Sequence, residues 1–151
     1  MYATHIETIS HTSPDQWHVV MQLYQQLPEF DNRHQLSDLS NTLQHKSHLL
    51  QLGYIAGELA GFKLGYALND QIFYSWLGGV LPDYRNLGLA KHMLQQQEQW
   101  AKTQGYQVMQ VKSSNRFRAM LTMLISRGYH ITALAEHSNI ADHQLTLQKP
   151  L

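Results

Sequence analysis

The stretch Val80-Leu81-Pro82-Asp83-Tyr84-Arg85-Asn86-Leu87-Gly88-Leu89-Ala90 decides how this chain is read. Gln71 to Val80 before it is aromatic and β-branched and reads as a strand. Gly88 to Gln104 after it reads as a helix, with Ala90, Met93, Leu94, Gln97, Trp100 and Ala101 on one face and Gly105 as its stop. Pro82-Asp83-Tyr84 makes the turn between them. The first N–H groups of a helix lack carbonyl partners and carry partial positive charge. Gly88 lets the backbone approach a ligand with no Cβ in the way. Leu87 to Ala90 then offer N–H donors to a phosphate oxygen, and Arg85 adds a full positive charge. The segment predicts a pyrophosphate cradle. Taken alone, Arg-x-x-Gly-x-Ala also fits a plain strand-to-helix connection. It is not a P-loop, because no Gly-Lys-Ser/Thr follows. Nor is it a dinucleotide fingerprint, because the turn holds one glycine and no acidic residue follows at the expected distance.

Outward from this segment the periodicity predicts the remaining elements. Thr4 to Ile9 is a first strand. Ser13-Pro14-Asp15-Gln16 opens a helix with a capping residue, a proline at the first helical position and a capping box. Trp17, Val20, Met21 and Tyr24 continue it, and Pro28 ends it. Glu29 to His34 is a polar loop, and Ser37 to His45 a second short helix. His48 to Ile55 and Leu59 to Leu68 form a hairpin across Ala56-Gly57. In the next strand, Gly78-Gly79 signals a bulge or a close backbone approach. Val108 to Ser113 is a strand. Arg116 to Arg127 is a helix with Phe117, Met120, Leu121, Leu124 and Ile125 as its apolar stripe, ended by Gly128. Tyr129 to Glu136 and His143 to Gln148 close the chain as strands. The order β-α-α-β-β-β-α-β-α-β-β predicts an α/β fold with a mixed sheet.

Composition excludes several classes. The 151 residues suit one domain, 1–151, with a single core. Apolar residues make up 43% and charged residues 15%, a globular composition. Lys plus Arg equals Asp plus Glu, which speaks against nucleic acid and leaves a homodimer open. With no cysteine, disulfides, thiolate metal sites and cysteine nucleophiles drop out, and a cytoplasmic protein is expected. The ten histidines are scattered without a His-Glu-x-x-His pattern, so no metal site is expected. Met1 to Ser10 lacks the pattern of a signal peptide. No run reaches the about 18 apolar residues of a membrane span, so no membrane partner is expected.

In this context the loop resembles the signature of the GNAT superfamily of N-acyltransferases, Arg/Gln-x-x-Gly-x-Gly/Ala after an apolar strand ending in Val-x-Pro-x-Tyr. The resemblance runs from about residue 48 to 136. Gly57-Glu58-Leu59-Ala60-Gly61-Phe62 looks like the family's hairpin. Asn115, with the helix ending in Gly128-Tyr129, looks like its second CoA-contacting region. The resemblance implies a mixed, mostly antiparallel sheet flanked by helices, acetyl-CoA as acyl donor, and transfer to a small-molecule or protein amine. It implies that backbone N–H groups of Arg85, Asn86, Leu87, Gly88, Leu89 and Ala90 hold the CoA pyrophosphate. By the same resemblance Gly79, Val80 and Leu81 pair with the pantetheine arm, Asn115 contacts that arm, and an N–H near Val80 polarises the thioester carbonyl.

Two departures are visible. Many members carry a Tyr four residues before the Gly of the Gly-Phe/Tyr pair, where it can protonate the leaving thiolate; that position here is Leu124. The strand before the loop holds no Asp or Glu to serve as base. Its polar side chains include Tyr74 and Ser75, which line the reaction site or, for Tyr74 and Trp76, pack in the core. In the family, loops equivalent to Pro28–His34 and His137–Asp142 shape the acceptor pocket. Glu29 or Asp31 then holds an ammonium group, or the loop is simply solvated, and Phe30 is a pocket wall or a staple onto the core. The alternative to an enzyme is a non-catalytic acyl-CoA-sensing module of the same fold.

Overall fold

The computed structural model describes residues 3–30 and 34–151. The strands are β1 (Thr4–Ile9), β2 (His48–Ile55), β3 (Glu58–Ala67), β4 (Ile72–Val80), β5 (Val108–Ser114), β6 (His130–Ala135) and β7 (Gln144–Pro150). The helices are α1 (Pro14–Gln25), α2 (Leu36–Leu43), α3 (Leu89–Thr103) and α4 (Arg118–Ser126). The element order is the one expected, with single 3₁₀ turns added at Pro28–Phe30, Pro82–Tyr84 and Ile140–Asp142. The strand order is β1-β2-β3-β4-β5-β7-β6. Only β4 and β5 run parallel among the pairs with a defined register; the others are antiparallel. No helix among the described residues is long and apolar enough to cross a membrane.

The chain divides into two compact units, Met1–Tyr66 with Leu77–Gln97, and Ala67–Trp76 with Glu98–Leu151. In the first unit, α1 begins as the capping box requires. The Ser13 hydroxyl accepts from Gln16 N–H, and Gln16 Oε1 accepts from Ser13 N–H at 2.8 Å. Strand β2 is buried over five consecutive residues, Leu49 to Gly53, which requires both of its faces to be covered, and it pairs with β1 and β3 on its two edges. Its one polar member in that run, Gln51, donates to the Met93 carbonyl at 2.9 Å and to Gln96 Oε1 at 3.1 Å. This removes part of the cost of burying an amide. Leu89 seats the start of α3 against β2, where a Cβ on Gly53 would come within 2.9 Å of Leu89 Cδ1. Ile55, Ala60, Val80, Leu89 and Met93 form a shared core beneath the phosphate-loop candidate.

The glycine pair of β4 belongs to this unit, and the close approach it signals comes from the protein itself. A Cβ on Gly78 would lie 3.1 Å from the Phe62 carbonyl, and one on Gly79 would lie 2.6 Å from Leu27 Cδ1. On the facing strand, a Cβ on Gly61 would strike the Gly79 carbonyl at 2.6 Å. Backbone meets backbone there, and only glycine fits.

In the second unit, Phe73, Trp100 and Tyr106 pack ring against ring, with Phe73 5.2 Å from each partner. Met109, Leu124 and Leu147 are fully buried. Strand β6 is the outermost in the order and exposed throughout, and its pairing with β7 shifts register between Ile131 and Ala133.

Candidate coenzyme and acyl-transfer site

The cradle is built at the exit of β4, in the first unit. After Val80 the chain stays tied to β3 for one more residue, since Leu81 N–H donates to the Ala60 carbonyl at 2.7 Å. Leu81 then closes the 3₁₀ turn by accepting from Tyr84 N–H at 2.9 Å. Leu81 was expected to pair with a pantetheine arm, but its N–H is already engaged with β3. Arg85 is extended, with φ −73 and ψ 160. Asn86 and Gly88 follow in the left-handed region, at φ +64 and +87. Asn tolerates that conformation and Gly adopts it freely, so the Asn-x-Gly spacing carried a turn signal of its own.

The Gly88 carbonyl accepts the first helical bond, from His92 N–H at 3.0 Å. By α-helical geometry the N–H groups of Gly88, Leu89, Ala90 and Lys91 then have no carbonyl one turn behind them. The donor set thus extends one residue past the expected Ala90. Arg85 N–H, counted among the expected phosphate donors, instead points back to the Pro82 carbonyl at 3.4 Å. A Cβ on Gly88 would meet only His92 Cε1, at 3.7 Å. The glycine is therefore favoured by the backbone angle and not by crowding within the chain. Residues 85–88 are exposed, while Leu89 beneath them is buried. An exposed turn, a helix N-terminus and a glycine without a crowding neighbour together fit a pyrophosphate.

The Arg85 side chain does not stand loose beside this loop. Its Nε donates to the Val80 carbonyl at 2.9 Å, and its Nη2 donates to Glu29 Oε1 and Oε2 at 3.0 and 3.2 Å. The structure thus brings together two residues that the sequence assigned to different tasks, Arg85 to the coenzyme and Glu29 to the acceptor. No sequence signal links them, because they are 56 residues apart. Phe30 stacks on Tyr24 with ring centroids 4.7 Å apart and planes within 6°. Asp31 lies outside the described residues.

The remaining candidates lie in the second unit. Tyr74 and Ser75 sit on β4 opposite Gln110 and Val111 of β5. They alternate as expected, Ser75 buried at 4% exposure and Tyr74 half-buried. Asn115 follows β5. Its backbone N–H donates to the His143 carbonyl at 3.1 Å and its side-chain amide to the Ile140 carbonyl at 2.9 Å. Arg116 forms an ion pair with Asp142, and its N–H donates to the Ala141 carbonyl at 3.0 Å. Asn115 and Arg116 therefore hold the β6–β7 connection in place, a function the sequence did not reveal. Leu124, which stands where many resembling proteins carry a tyrosine, is 1% exposed.

Comparison with known proteins places this geometry in a family. No curated protein sequence matches the chain. Solved structures do. A GNAT family acetyltransferase from Elizabethkingia anophelis with acetyl-CoA bound is 16% identical, with a TM-score of 0.69 over 97% of this chain and 98% of that one. The ribosomal-protein-S18-alanine N-acetyltransferase from Escherichia coli is 12% identical, with a TM-score of 0.79 over 97% of this chain and 94% of that one. A Bacillus subtilis acetyltransferase in complex with CoA is 16% identical, with a TM-score of 0.74 over 99% of each chain. At these identities the likeness is one of fold. Residues 15–121, which run from α1 through the loop and well into α4, match the acetyltransferase (GNAT) family itself, and the chain belongs to that family.

Proposed function

We propose that this protein is an N-acetyltransferase that moves an acetyl or other short acyl group from acetyl-CoA to a primary amine, by direct attack within a ternary complex. The carrying observation is the cradle at 85–91. It has two left-handed residues, a glycine with open space at its Cβ position, and a helix N-terminus whose first N–H groups have no helical acceptor. Gly88, Leu89, Ala90 and Lys91 offer N–H donors to the pyrophosphate, with Asn86 and Leu87 shaping the turn before them. Gly79 and Val80 are assigned to the pantetheine arm, and Asn115 is assigned to the same ligand by the family resemblance alone. Acetyl-CoA supplies an activated thioester carbonyl. What the protein supplies is mainly placement, which is worth up to about 7–11 kcal/mol when the reacting atoms are well aligned.

Tyr74 and Ser75 are the side chains of β4 assigned to the reacting end. A neutral amine needs only a weak base or water to take its proton after attack. The acceptor is a small-molecule or protein amine. A protein amine is supported by the fold shared with the ribosomal-protein-S18-alanine N-acetyltransferase. The test is thiol release from acetyl-CoA across an amine panel, run beside thermal stabilisation by CoA. Stabilisation with turnover is the expected result. Stabilisation without release for any amine would replace the enzyme by a sensing module, the reading favoured by buried Leu124 and a β4 free of carboxylates. Absence of stabilisation at saturating CoA would remove coenzyme binding altogether.

A further inference from the structure

We infer that Glu29 is a positioning residue for the phosphate loop, acting through Arg85. The inference rests on the coenzyme reading above and concerns residues of the first unit alone.

The physical chain begins at Gly79. Because that residue has no side chain, Leu27 packs against it; a Cβ would lie 2.6 Å from Leu27 Cδ1. Leu27 is 3% exposed and its N–H donates to the Tyr24 carbonyl at 3.1 Å, so the exit of α1 is held at the end of β4. Phe30 N–H donates to the Leu27 carbonyl at 3.3 Å, and the Phe30 ring stacks on buried Tyr24. Glu29 lies inside this short turn and presents both carboxylate oxygens to Arg85 Nη2. With one end of the guanidinium held, its Nε meets the Val80 carbonyl at 2.9 Å. One planar group thereby ties α1's exit, the last residue of β4 and the first residue of the loop. Two left-handed residues, Asn86 and Gly88, begin right after this tie. Fixing Arg85 sets where this turn begins, and so where the N–H groups that follow it point. Glu29 then orders the N–H donors of the loop through Arg85.

The sign of the effect separates this role from plain electrostatics. By Coulomb's law alone, removing a negative charge beside an anion site tightens anion binding. A positioning role predicts the reverse. The geometry also separates arginine from lysine, since an ammonium keeps the charge but cannot hold Glu29 and the Val80 carbonyl with one planar fork.

The experiment titrates CoA into the wild type, Glu29→Gln and Arg85→Lys by calorimetry, and follows amide hydrogen exchange across residues 86–91 without ligand. The expected result is a Kd raised about five-fold or more in both variants, of the size typical for coupling between sites. Faster exchange confined to the loop is expected with it, while midpoints of thermal unfolding stay close to wild type. A Glu29→Gln protein that binds CoA equally or more tightly, or whose loop exchanges at the wild-type rate, overturns the inference. A wild type that does not bind CoA overturns the coenzyme reading instead. The exchange rates would still decide whether Glu29 orders the loop.

Discussion

The hydroxyl of Tyr129 donates to Glu98 Oε2 at 2.7 Å, and both residues are buried. The other carboxylate oxygen, Oε1, accepts from Arg127 Nη2 at 3.1 Å and Lys149 Nζ at 3.2 Å. One glutamate of α3 is thus held by the end of α4, the residue after its terminal Gly128, and β7. The Gly128-Tyr129 pair that marked the helix end in the sequence is also the place where this network closes. Gly128 supplies the left-handed exit at φ +95.

Removing the phenol oxygen leaves a buried carboxylate with one donor fewer. Tyr129→Phe should cost about 1.5–3 kcal/mol, the usual value for a hydrogen bond to a charged group. Glu98→Ala should cost more than Tyr129→Phe, because it leaves two part-buried cations without their anion and the Tyr129 hydroxyl without its acceptor. Urea denaturation of the two variants at neutral pH checks the order.

The same tyrosine makes stability depend on pH at the alkaline end. Burial pushes its hydroxyl well above the ordinary tyrosine value, and the hydrogen bond to Glu98 and that residue's charge push the same way. The folded state therefore holds this proton after the unfolded chain has lost it. Its contribution is fully present below about pH 10 and declines above, by up to about 1.4 kcal/mol per pH unit. The stability gap between wild type and Tyr129→Phe should shrink as denaturation is moved from pH 8 to pH 11. A gap that widens would contradict the assignment.

At the loop, Gly88→Glu should abolish CoA binding by placing a carboxylate at the proposed phosphate position. The left-handed φ of +87 adds a conformational cost of about 1–2 kcal/mol for any side chain. A fall in melting temperature of a few degrees is expected beside the loss of binding, at about 2–4 °C per kcal/mol for a chain of this size. Gly88→Ala, with the same backbone cost and no charge, should melt similarly yet keep part of the affinity. Equal loss in both would assign the effect to the backbone rather than to the charge.

The glycines of β3 and β4 should differ in their tolerance. Gly61→Ala drives a methyl into the backbone carbonyl of Gly79, which cannot step aside, whereas Gly79→Ala meets the side chain of Leu27. Overpacking of this kind costs about 1–3 kcal/mol, and the first variant should sit at or above the top of that range. Thermal melts of the two alanine variants test the ranking. Gly79→Ala should also weaken CoA binding, since displacing Leu27 disturbs the turn that carries Glu29.

Leu124→Tyr asks whether a tyrosine can be accommodated at this position of α4. The position is 1% exposed within α4, so the larger ring should destabilise the fold by about 1–3 kcal/mol through overpacking. Acetyl transfer should not rise. A clear gain in thiol release would show that the site accepts a hydroxyl from this position after all.

Much of the architecture was legible in the residues because it is encoded locally. The capping box at Ser13, the stops at Gly105 and Gly128, and the two-residue turn at Ala56-Gly57 need only a few neighbours to act. The shape of the loop Arg85 to Ala90 was legible for the same reason, since a strand end, a left-handed glycine and a helix start all lie within about ten residues. Gly78-Gly79 announced a close approach, but which chain approached depended on β3 and α1 arriving there.

By itself, then, the sequence determined the elements, their order and the place of the left-handed turn and helix start at 86–89, because periodicity, capping and glycine conformations act over one or two turns of chain. Only the tertiary structure decided the partners of the charges. Glu29 and Arg85 are separated by 56 residues, and Glu98 and Tyr129 by 31. Opposite charges are interchangeable in a sequence. Which of them meet depends on where packing sets their backbones, and here Leu27 against Gly79 and β7 beside β5 make that choice.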